Sequence, residues 1–204
     1  YKVQDKKEKL EDFKTAITST VKSVSNSQNI EVTFGNQSFK SEKNSIKLPN
    51  IEQKSSRLNF QEIRAIADSK SLKLRFSNDK TLKKYEPEGN ISKKLYSLAE
   101  KIRCEKIGSN YFKGIKGNIE KFYQKRVLGL DLKSSEDRII ESFENYLRIK
   151  FLDFKNESQI DKKLKSYKKD LNHQFKSKIS ELKDLMLNQE KFNSLISQLI
   201  NDMS

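Results

Sequence analysis

Arginines and carboxylates in the middle of this chain are the side chains whose spacing could support chemistry. They form two groups, with Arg64, Asp68 and Arg75 in the first and Glu100, Arg103 and Glu105 in the second. Spacings of three, four and seven residues place side chains on one face of a helix, where opposite charges pair. The groups indicate a polar seam or docking face between two helices, with electrostatic and structural roles. The alternative is a set of exposed surface pairs, worth roughly a few tenths of a kcal/mol each.

The residues of common catalytic and metal centres are missing from the sequence. There is one cysteine, Cys104, and one histidine, His173, which excludes a disulfide scaffold, a cysteine-built zinc site and a histidine triad. The phosphate-loop, nucleophile-elbow and H-E-x-x-H patterns are absent as well. The charge of Arg103 could lower the pKa of the adjacent Cys104 thiol, but the sequence offers no second thiol to use it. We therefore predict no catalytic residue, no metal site and no cofactor in this chain.

Positive charge is concentrated in the middle of the chain. The net charge is +14, and residues 61–130 contain 17 Lys and Arg against 8 Asp and Glu. An electropositive face would suit an acidic protein partner, a polycarboxylate ligand or a nucleic acid, and a solvated lysine-rich surface is the alternative. No nucleic-acid motif is present, and the aromatic residues are spaced like core residues, which disfavours nucleic acid. No apolar run is long enough for a membrane span and no signal peptide is evident, so we expect a cytoplasmic protein.

Apolar periodicity indicates that helices position these charged groups. Leu10, Phe13, Ile17, Val21 and Val24 follow helical spacing and predict the first helix. Alternation at residues 30–34 and the apolar residues at 46–48 predict two short strands, the second ended by proline. The fold class is therefore mainly α, a helical bundle with a small two-stranded β-ribbon near residues 30–48.

Further helices follow, separated by recognisable turn signals. Asn59 and Glu62 have the spacing of a capping box, and Pro87 marks a turn between two helices. Gly108 stands where a helix C-cap is expected, and Gly114 loosens the next connection. The apolar stripe of residues 160–186 suggests either a helical hairpin packed in the core or a coiled-coil arm.

We expect one domain spanning residues 1–204. Within it, residues 1–58 would form a helix and the ribbon, residues 59–130 the motif-bearing helices, and residues 131–204 a helical scaffold or hairpin. The turn at Pro87 should fold two helices alongside each other. We therefore predict that Arg103 is buried and held between Glu100 and Asp68, because a guanidinium can engage two carboxylates at once.

Several strings resemble the CobT family, the von Willebrand-type subunits of aerobic cobaltochelatase. Residues 64–76, RAIADSKSLKLRF, resemble its R-G-x-A-D-S-x-A-L-x-L-R string. Residues 100–108, EKIRCEKIG, resemble its E-Q-x-R-x-E-x-[IL]-G signature, in the same order along the chain. The matches assign structural motif positions to Ser69, Pro87, Gly108, Gly114 and Asn118. The likeness covers about residues 15–125 and corresponds to the family's N-terminal helical domain.

This resemblance implies a function. The chain would be a non-catalytic docking domain of an ATP-dependent cobaltochelatase, helping to couple an AAA+ ATPase to cobalt insertion into the corrin ring in cobalamin biosynthesis. The implied partners are a CobS-like ATPase and a CobN-like large chelatase subunit, with ATP, Mg and cobalt belonging to the complex. Two alternatives remain open: an adaptor of a repurposed AAA+ and von Willebrand pair that remodels other proteins, and a basic nucleic-acid-binding domain.

Overall fold

Helices account for most of the chain, as the sequence predicts. A computed structural model describes residues 2–36, 44–51 and 59–203. The elements are α1 (Lys2–Ser25), β1 (Glu31–Phe34), β2 (Ser45–Leu48), α2 (Phe60–Phe76), α3 (Asp79–Lys84), α4 (Asn90–Tyr111), α5 (Ile115–Gly129), α6 (Ser135–Leu152), α7 (Ser158–Lys163), α8 (Lys168–Phe175), α9 (Ile179–Asp184) and α10 (Gln189–Asn201). The mainly helical fold with one small two-stranded sheet is confirmed. Within the described ranges, no helix has both the length and the apolar character that crossing a membrane requires.

The two strands pair in parallel. Glu31 lies opposite Ser45 and Phe34 opposite Leu48, so both strands run in the same direction. The predicted ribbon also spans residues 37–43, which lie outside the described residues. A small apolar cluster covers the sheet and the adjoining helices: Ile17, Val21, Ile30, Ile46, Leu48, Ile63 and Ala67. The sheet therefore packs against α1 and the first half of α2.

Helix α2 begins with the predicted capping box. The Glu62 amide donates to the Asn59 side-chain oxygen at 2.9 Å, and the Asn59 amide donates to the Glu62 carboxylate at 2.9 Å. These bonds satisfy two backbone donors that would otherwise lack partners in the first turn. The second half of α2 packs against α4 through Leu72, which belongs to the larger apolar core. Helix α2 thus contributes to both apolar clusters.

Gly108 does not end its helix, so the prediction of a helix C-cap at this glycine is wrong. Helix α4 continues to Tyr111, so Gly108 lies within its last turn. A Cβ at this position would lie 2.2 Å from Leu72 Cδ2 and 2.5 Å from Cδ1. Gly108 is therefore required by the close approach of α2 to α4, rather than by a positive φ at a cap.

Substituting Gly108 with alanine should destabilise the protein, whereas the same change at Gly117 should not. Leu72 is fully buried and cannot move away, so Gly108→Ala is expected to cost about 1–3 kcal/mol through overpacking. An added Cβ at Gly117 in α5 meets no atom within 4 Å, and alanine there should stabilise by up to about 1 kcal/mol. Urea unfolding of both variants measures the difference. Equal stabilisation by both substitutions would contradict the close-packing explanation.

The long apolar stripe of residues 160–186 forms part of the core as a series of short helices. Ile160, Leu164, Leu171, Phe175, Leu182 and Met186 are all buried. The chain breaks into 3₁₀ turns at Lys165–Tyr167 and Lys176–Lys178, so neither a continuous hairpin helix nor an extended arm is formed. The breaks let successive segments contact α6 and then α10, which one straight helix could not do.

Candidate functional site

Arg103 lies at the junction of three structural elements. Its guanidinium forks onto Glu100, with Nε 2.9 Å from Oε2 and Nη2 2.8 Å from Oε1. Nη1 donates to the carbonyl of Met186 and Nη2 to the carbonyl of Phe76, both at 2.6 Å. Because Phe76 ends α2 and Met186 precedes α10, a single α4 side chain holds both segments. Its burial, at 1% exposure, confirms the predicted buried environment.

Asn193 completes this group, which we call the Arg103 cluster (Glu100, Arg103 and Asn193). Asn193 lies in helix α10, and its side-chain amide donates to Glu100 Oε2 at a distance of 2.8 Å. Burial opposes the charge of Arg103, but its hydrogen bonds to the Glu100 carboxylate and the neighbouring negative charge outweigh burial and raise the pKa of the guanidinium. Arg103 favours a lower pKa of the Cys104 thiol, as expected, but burial and the charge of Glu100 outweigh it and raise the pKa. The thiol stays protonated, as does the arginine.

Asp68 does not contact Arg103, contrary to the sequence prediction. Arg64 donates through Nε to Asp68 Oδ1 at 3.2 Å, and Asn118 of α5 approaches Oδ2 at 3.4 Å. Asp68 is fully buried while the Arg64 side chain is 44% exposed. Burial raises the pKa of Asp68, and Arg64 and Asn118 offset this only in part. The partners of Asp68 are therefore on α2 and α5, away from the Arg103 cluster.

The raised pKa of Asp68 predicts a pH-dependent effect of Asp68→Asn. Above its folded pKa, the ionised carboxylate lowers the stability of the wild type, and this penalty disappears below the unfolded value near 3.8. The variant lacks the penalty, so its stability relative to wild type should increase as pH rises from 4 to 7. Urea unfolding at several pH values tests this. A stability difference that falls as pH rises would show that the Arg64 interaction dominates.

Arg75 belongs neither to the Arg103 cluster nor to the group around Asp68. It is exposed, and its Nη1 donates to the carbonyl of Val24 at the end of α1, at 3.2 Å. Its guanidinium also lies 5.5 Å from the ring centre of Phe112. Arg75 therefore joins α1 to the α2–α4 region at the surface.

A second buried group connects α2, α4 and α6. Glu105 accepts a hydrogen bond from Ser69 Oγ at 2.6 Å and one from Arg148 Nη1 at 2.5 Å. Arg148 also donates through Nε to Glu144 Oε1 at 2.9 Å. Glu105, Glu144 and Arg148 are each at most 4% exposed. We call Ser69, Glu105, Glu144 and Arg148 the Arg148 cluster.

The Arg148 cluster continues toward the surface through Arg126 of α5. Arg126 Nη2 lies 2.7 Å from Glu144 Oε2, and its Nη1 lies 2.8 Å from Glu141 Oε1. The ring of Tyr123 lies beneath both guanidinium groups, 5.0 Å from that of Arg148 and 5.6 Å from that of Arg126. The ring adds cation–π attraction to these ion pairs.

Neighbouring charges decide the protonation of this cluster. Burial opposes the ionisation of Glu144, but Arg148, Lys101 and Arg126 outweigh burial and lower the pKa of the carboxyl. Burial also opposes the charge of Arg148, but the attraction of Glu105 and Glu144 outweighs burial and raises the pKa of the guanidinium. Glu144 and Arg148 therefore stay charged near neutral pH. Since they are bound to each other, the arrangement suits holding helices in place better than moving protons.

Sequence reasoning missed half of this arrangement. Glu144, Arg148, Arg126 and Asn193 were assigned to no site. A signal was present, because Glu144 and Arg148 stand four residues apart inside the apolar stripe of α6, where charged residues need partners. Glu105 was grouped with Glu100, yet five residues turn a helix by about 140°, toward a different neighbour.

An open cleft lies over the Arg148 cluster, between α2, α4, α5 and α6. Its volume is about 210 Å³. Apolar side chains contribute to its walls, among them Ile66, Ile119 and Phe122. Charged side chains also line it, namely Lys70, Lys73, Lys101, Arg126, Arg148, Glu105 and Glu144. We call it the lysine cleft.

Comparison with known protein families identifies the chain. The family model described as cobalamin biosynthesis protein CobT matches residues 7–204. The chain belongs to the CobT family. This membership places it in cobalamin biosynthesis, among cobaltochelatase subunits. No solved structure matches the chain.

The CobT-like strings lie where α2 and α4 pack together. The string in α2 supplies Ser69, and the string in α4 supplies Glu100, Arg103, Glu105 and Gly108. Gly108 gives the close approach of the two helices, and Ser69 bonds to Glu105 across it. Gly108 and Ser69 thus act at this helix pair, whereas Arg103 and Glu105 also bind segments outside it.

Three further motif positions also have structural explanations. Pro87 is buried in the connection from α3 to α4. Gly114 precedes α5 with φ of 88°, a backbone conformation that disfavours other residues. Asn118 donates to Asp68. In the described parts of the chain, no three His, Cys, Asp or Glu side chains are grouped to hold a metal ion.

Proposed function

We propose that this chain is a non-catalytic docking domain of an ATP-dependent cobaltochelatase. It would bind a CobS-like AAA+ ATPase and a CobN-like large subunit, and help couple ATP-driven rearrangement to cobalt insertion into the corrin ring. ATP and Mg are assigned to the ATPase, and cobalt is a substrate of the complex. Membership in the CobT family gives this proposal its context.

The pairing of the buried charges carries the proposal. Arg103 is engaged by Glu100 and two backbone carbonyls, and Arg148 by Glu105 and Glu144. Groups held in this way are poorly suited to act on a substrate, but they fix the relative positions of α2, α4, α6 and α10. A rigid helical frame is what a docking domain needs in order to transmit a movement of one partner to another.

The docking face is proposed to lie on residues 61–130, where the positive charge is concentrated. Lys80, Lys83 and Lys94 are exposed there. Within the described part of the chain, none of these three forms an ion pair, unlike Lys84 with Glu190. Lysines of this kind can attract an acidic partner surface without contributing to folding.

Replacing these lysines should weaken partner binding and leave folding unchanged. The triple variant Lys80→Gln, Lys83→Gln and Lys94→Gln is expected to bind the cognate ATPase or large subunit more weakly, with stability within about 0.5 kcal/mol of wild type. Pull-down and titration at low salt and at 0.15 M test this, because screening shortens the electrostatic range to roughly 8 Å. Lys176, Lys183 and Lys191, changed together to glutamine, provide a control of equal charge.

The pull-down distinguishes the cobaltochelatase role from the alternative, an adaptor of an AAA+ and von Willebrand pair that remodels other proteins. Binding of both the ATPase and the large chelatase subunit supports a cobaltochelatase role. Capture of the ATPase alone would favour a pair that remodels another protein. Failure to bind either subunit at low salt would contradict the docking function itself.

A further inference from the structure

The carboxylates of the lysine cleft are already occupied by arginines. Glu105 and Glu144 both bind Arg148, and Glu144 also binds Arg126. This leaves Lys70, Lys73 and Lys101 around the opening, and within the described residues none of them has a carboxylate oxygen within 4.0 Å. Lys70 donates to the backbone carbonyl of Lys47 instead, at 2.6 Å. The lining has five cationic side chains and two carboxylates, so positive charge is in excess at the opening, although Lys101 is attracted to Glu144.

The environment of Lys70 is consistent with this excess. Burial lowers the pKa of its ammonium group, and repulsion from Lys101 and Lys47 lowers it further. A ligand that brings negative charge between Lys70 and Lys101 would relieve this repulsion. The cleft therefore favours anions on electrostatic grounds.

The walls of the cleft add an apolar requirement. Ile66 and Phe122 are half-buried, and Ile119 is buried beneath them. A volume of about 210 Å³ is below the ~300–1,000 Å³ of sites that enclose a drug-sized ligand. It suits one apolar side chain inserted from above, with the rest of the ligand outside among the lysines.

We propose that the lysine cleft binds an acidic peptide segment of a partner protein. One leucine- or phenylalanine-type side chain enters the cleft between Ile66 and Phe122, and flanking Asp or Glu residues pair with Lys70, Lys73 and Lys101. This inference deepens the proposed docking function and rests on it for the choice of a protein segment as ligand. Such a segment combines an anchor residue in a pocket with surrounding charge complementarity.

The Arg148 cluster gives the cleft a fixed shape. Glu105, buried at its base, accepts hydrogen bonds from Ser69 of α2 and from Arg148 of α6, so α2 and α6 cannot separate without breaking these bonds. A preformed pocket binds a flexible segment with less ordering on the protein side. The buried charges therefore contribute to recognition by holding the walls in place.

Fluorescence anisotropy with a synthetic peptide tests the proposal on the whole chain. The probe is a short labelled peptide of Asp and Glu with one central Leu, compared with the same peptide carrying Ser in place of Leu. The triple variant Lys70→Gln, Lys73→Gln and Lys101→Gln should bind the Leu peptide about tenfold more weakly than wild type. The control triple at Lys176, Lys183 and Lys191 should bind it as wild type does, and thermal unfolding checks that both variants fold.

The outcomes separate this inference from the docking function. Weaker binding of the Ser peptide, together with loss in the cleft triple only, supports the proposed site. Equal binding of the Leu and Ser peptides, or tighter binding of a single-stranded oligonucleotide of equal charge, overturns it. If neither peptide binds while the wild-type chain captures the cognate subunits, the inference is wrong and the docking function stands. If the peptide binds at the cleft and no subunit is captured, the docking partners are wrong and the site stands.

Discussion

Replacing Arg148 with methionine is expected to lower the free energy of unfolding by about 3–5 kcal/mol. Methionine has a similar length and fills much of the same space, but it lacks the positive charge that Glu105 and Glu144 share. Both carboxylates are almost fully buried, so water cannot replace the lost partner. Arg126 still contacts Glu144, which leaves Glu105 as the carboxylate with the greatest loss.

The destabilisation by Arg148→Met should be smaller at low pH. In the wild type, the lowered pKa of Glu144 contributes stability that is present above the unfolded value near 4.5 and is lost as pH falls through the folded pKa. Without Arg148, the buried carboxyls bind protons more readily, and their neutral forms are tolerated. The difference between wild type and variant should therefore narrow as pH decreases from 7 to 4. Urea unfolding at several pH values measures it.

A matched set of variants separates buried charge from lost packing. Adding Glu105→Gln and Glu144→Gln to Arg148→Met should recover part of the stability, because no uncompensated carboxylate remains. Arg138 is exposed and, among the described residues, donates only to the Leu132 carbonyl, so Arg138→Ala should cost less than about 1 kcal/mol. A loss below 1 kcal/mol for Arg148→Met, or no recovery in the triple variant, would contradict the ion-pair explanation.

Sequence patterns predicted the elements better than their partners. The apolar spacing from Leu10 to Val24 indicated a helix that is present at Lys2–Ser25, and the capping box at Asn59 begins α2 as expected. These features depend on residues three or four positions apart, so one sequence contains the whole signal. The parallel pairing of β1 with β2 depends on the path of the chain between them. The alternation of apolar residues within each strand does not specify that path.

The partners of the charged groups were harder to predict because many come from distant segments. Glu100 was the expected partner of Arg103, one helical turn away, and this is confirmed. The other acceptors of Arg103 are the carbonyls of Phe76 and Met186, and a backbone carbonyl leaves no mark in the residue types. Asp68 was placed near Arg103 by assuming that the helices align at that level, whereas Gly108 and Leu72 set a different register.

Both clusters connect the parts of the chain that carry the CobT-like strings to parts that do not. Arg103 reaches the segment before α10, and Glu105 reaches α6 through Arg148. The last third of the chain is therefore more than a passive scaffold, because it supplies Glu144 and Arg148 to one cluster and Asn193 to the other. A partner that presses on α4 would act on α6 and α10 through these contacts, which fits a domain that transmits movement.

Replacing Arg103 with alanine should cost on the order of 3 kcal/mol. The change leaves Glu100 with the Asn193 amide and the weak thiol donor of Cys104, and it removes the donors of two carbonyls, those of Phe76 and Met186. Each buried acceptor without a donor adds to the loss. Because these bonds join α2 and the α9–α10 connection to α4, the variant should also unfold with less cooperativity.

Arg103→Lys provides the sharper comparison. A lysine keeps the charge but cannot direct donors in the fixed fork that Glu100 and the two carbonyls require. Most of the destabilisation should therefore persist in the lysine variant. The amides of α10 should also exchange hydrogen faster than in the wild type. If lysine restored wild-type stability, charge alone would explain the role of Arg103, and the geometric link between α2, α4 and α10 would not be needed. Unfolding by urea, combined with hydrogen exchange of the full chain, distinguishes the two explanations.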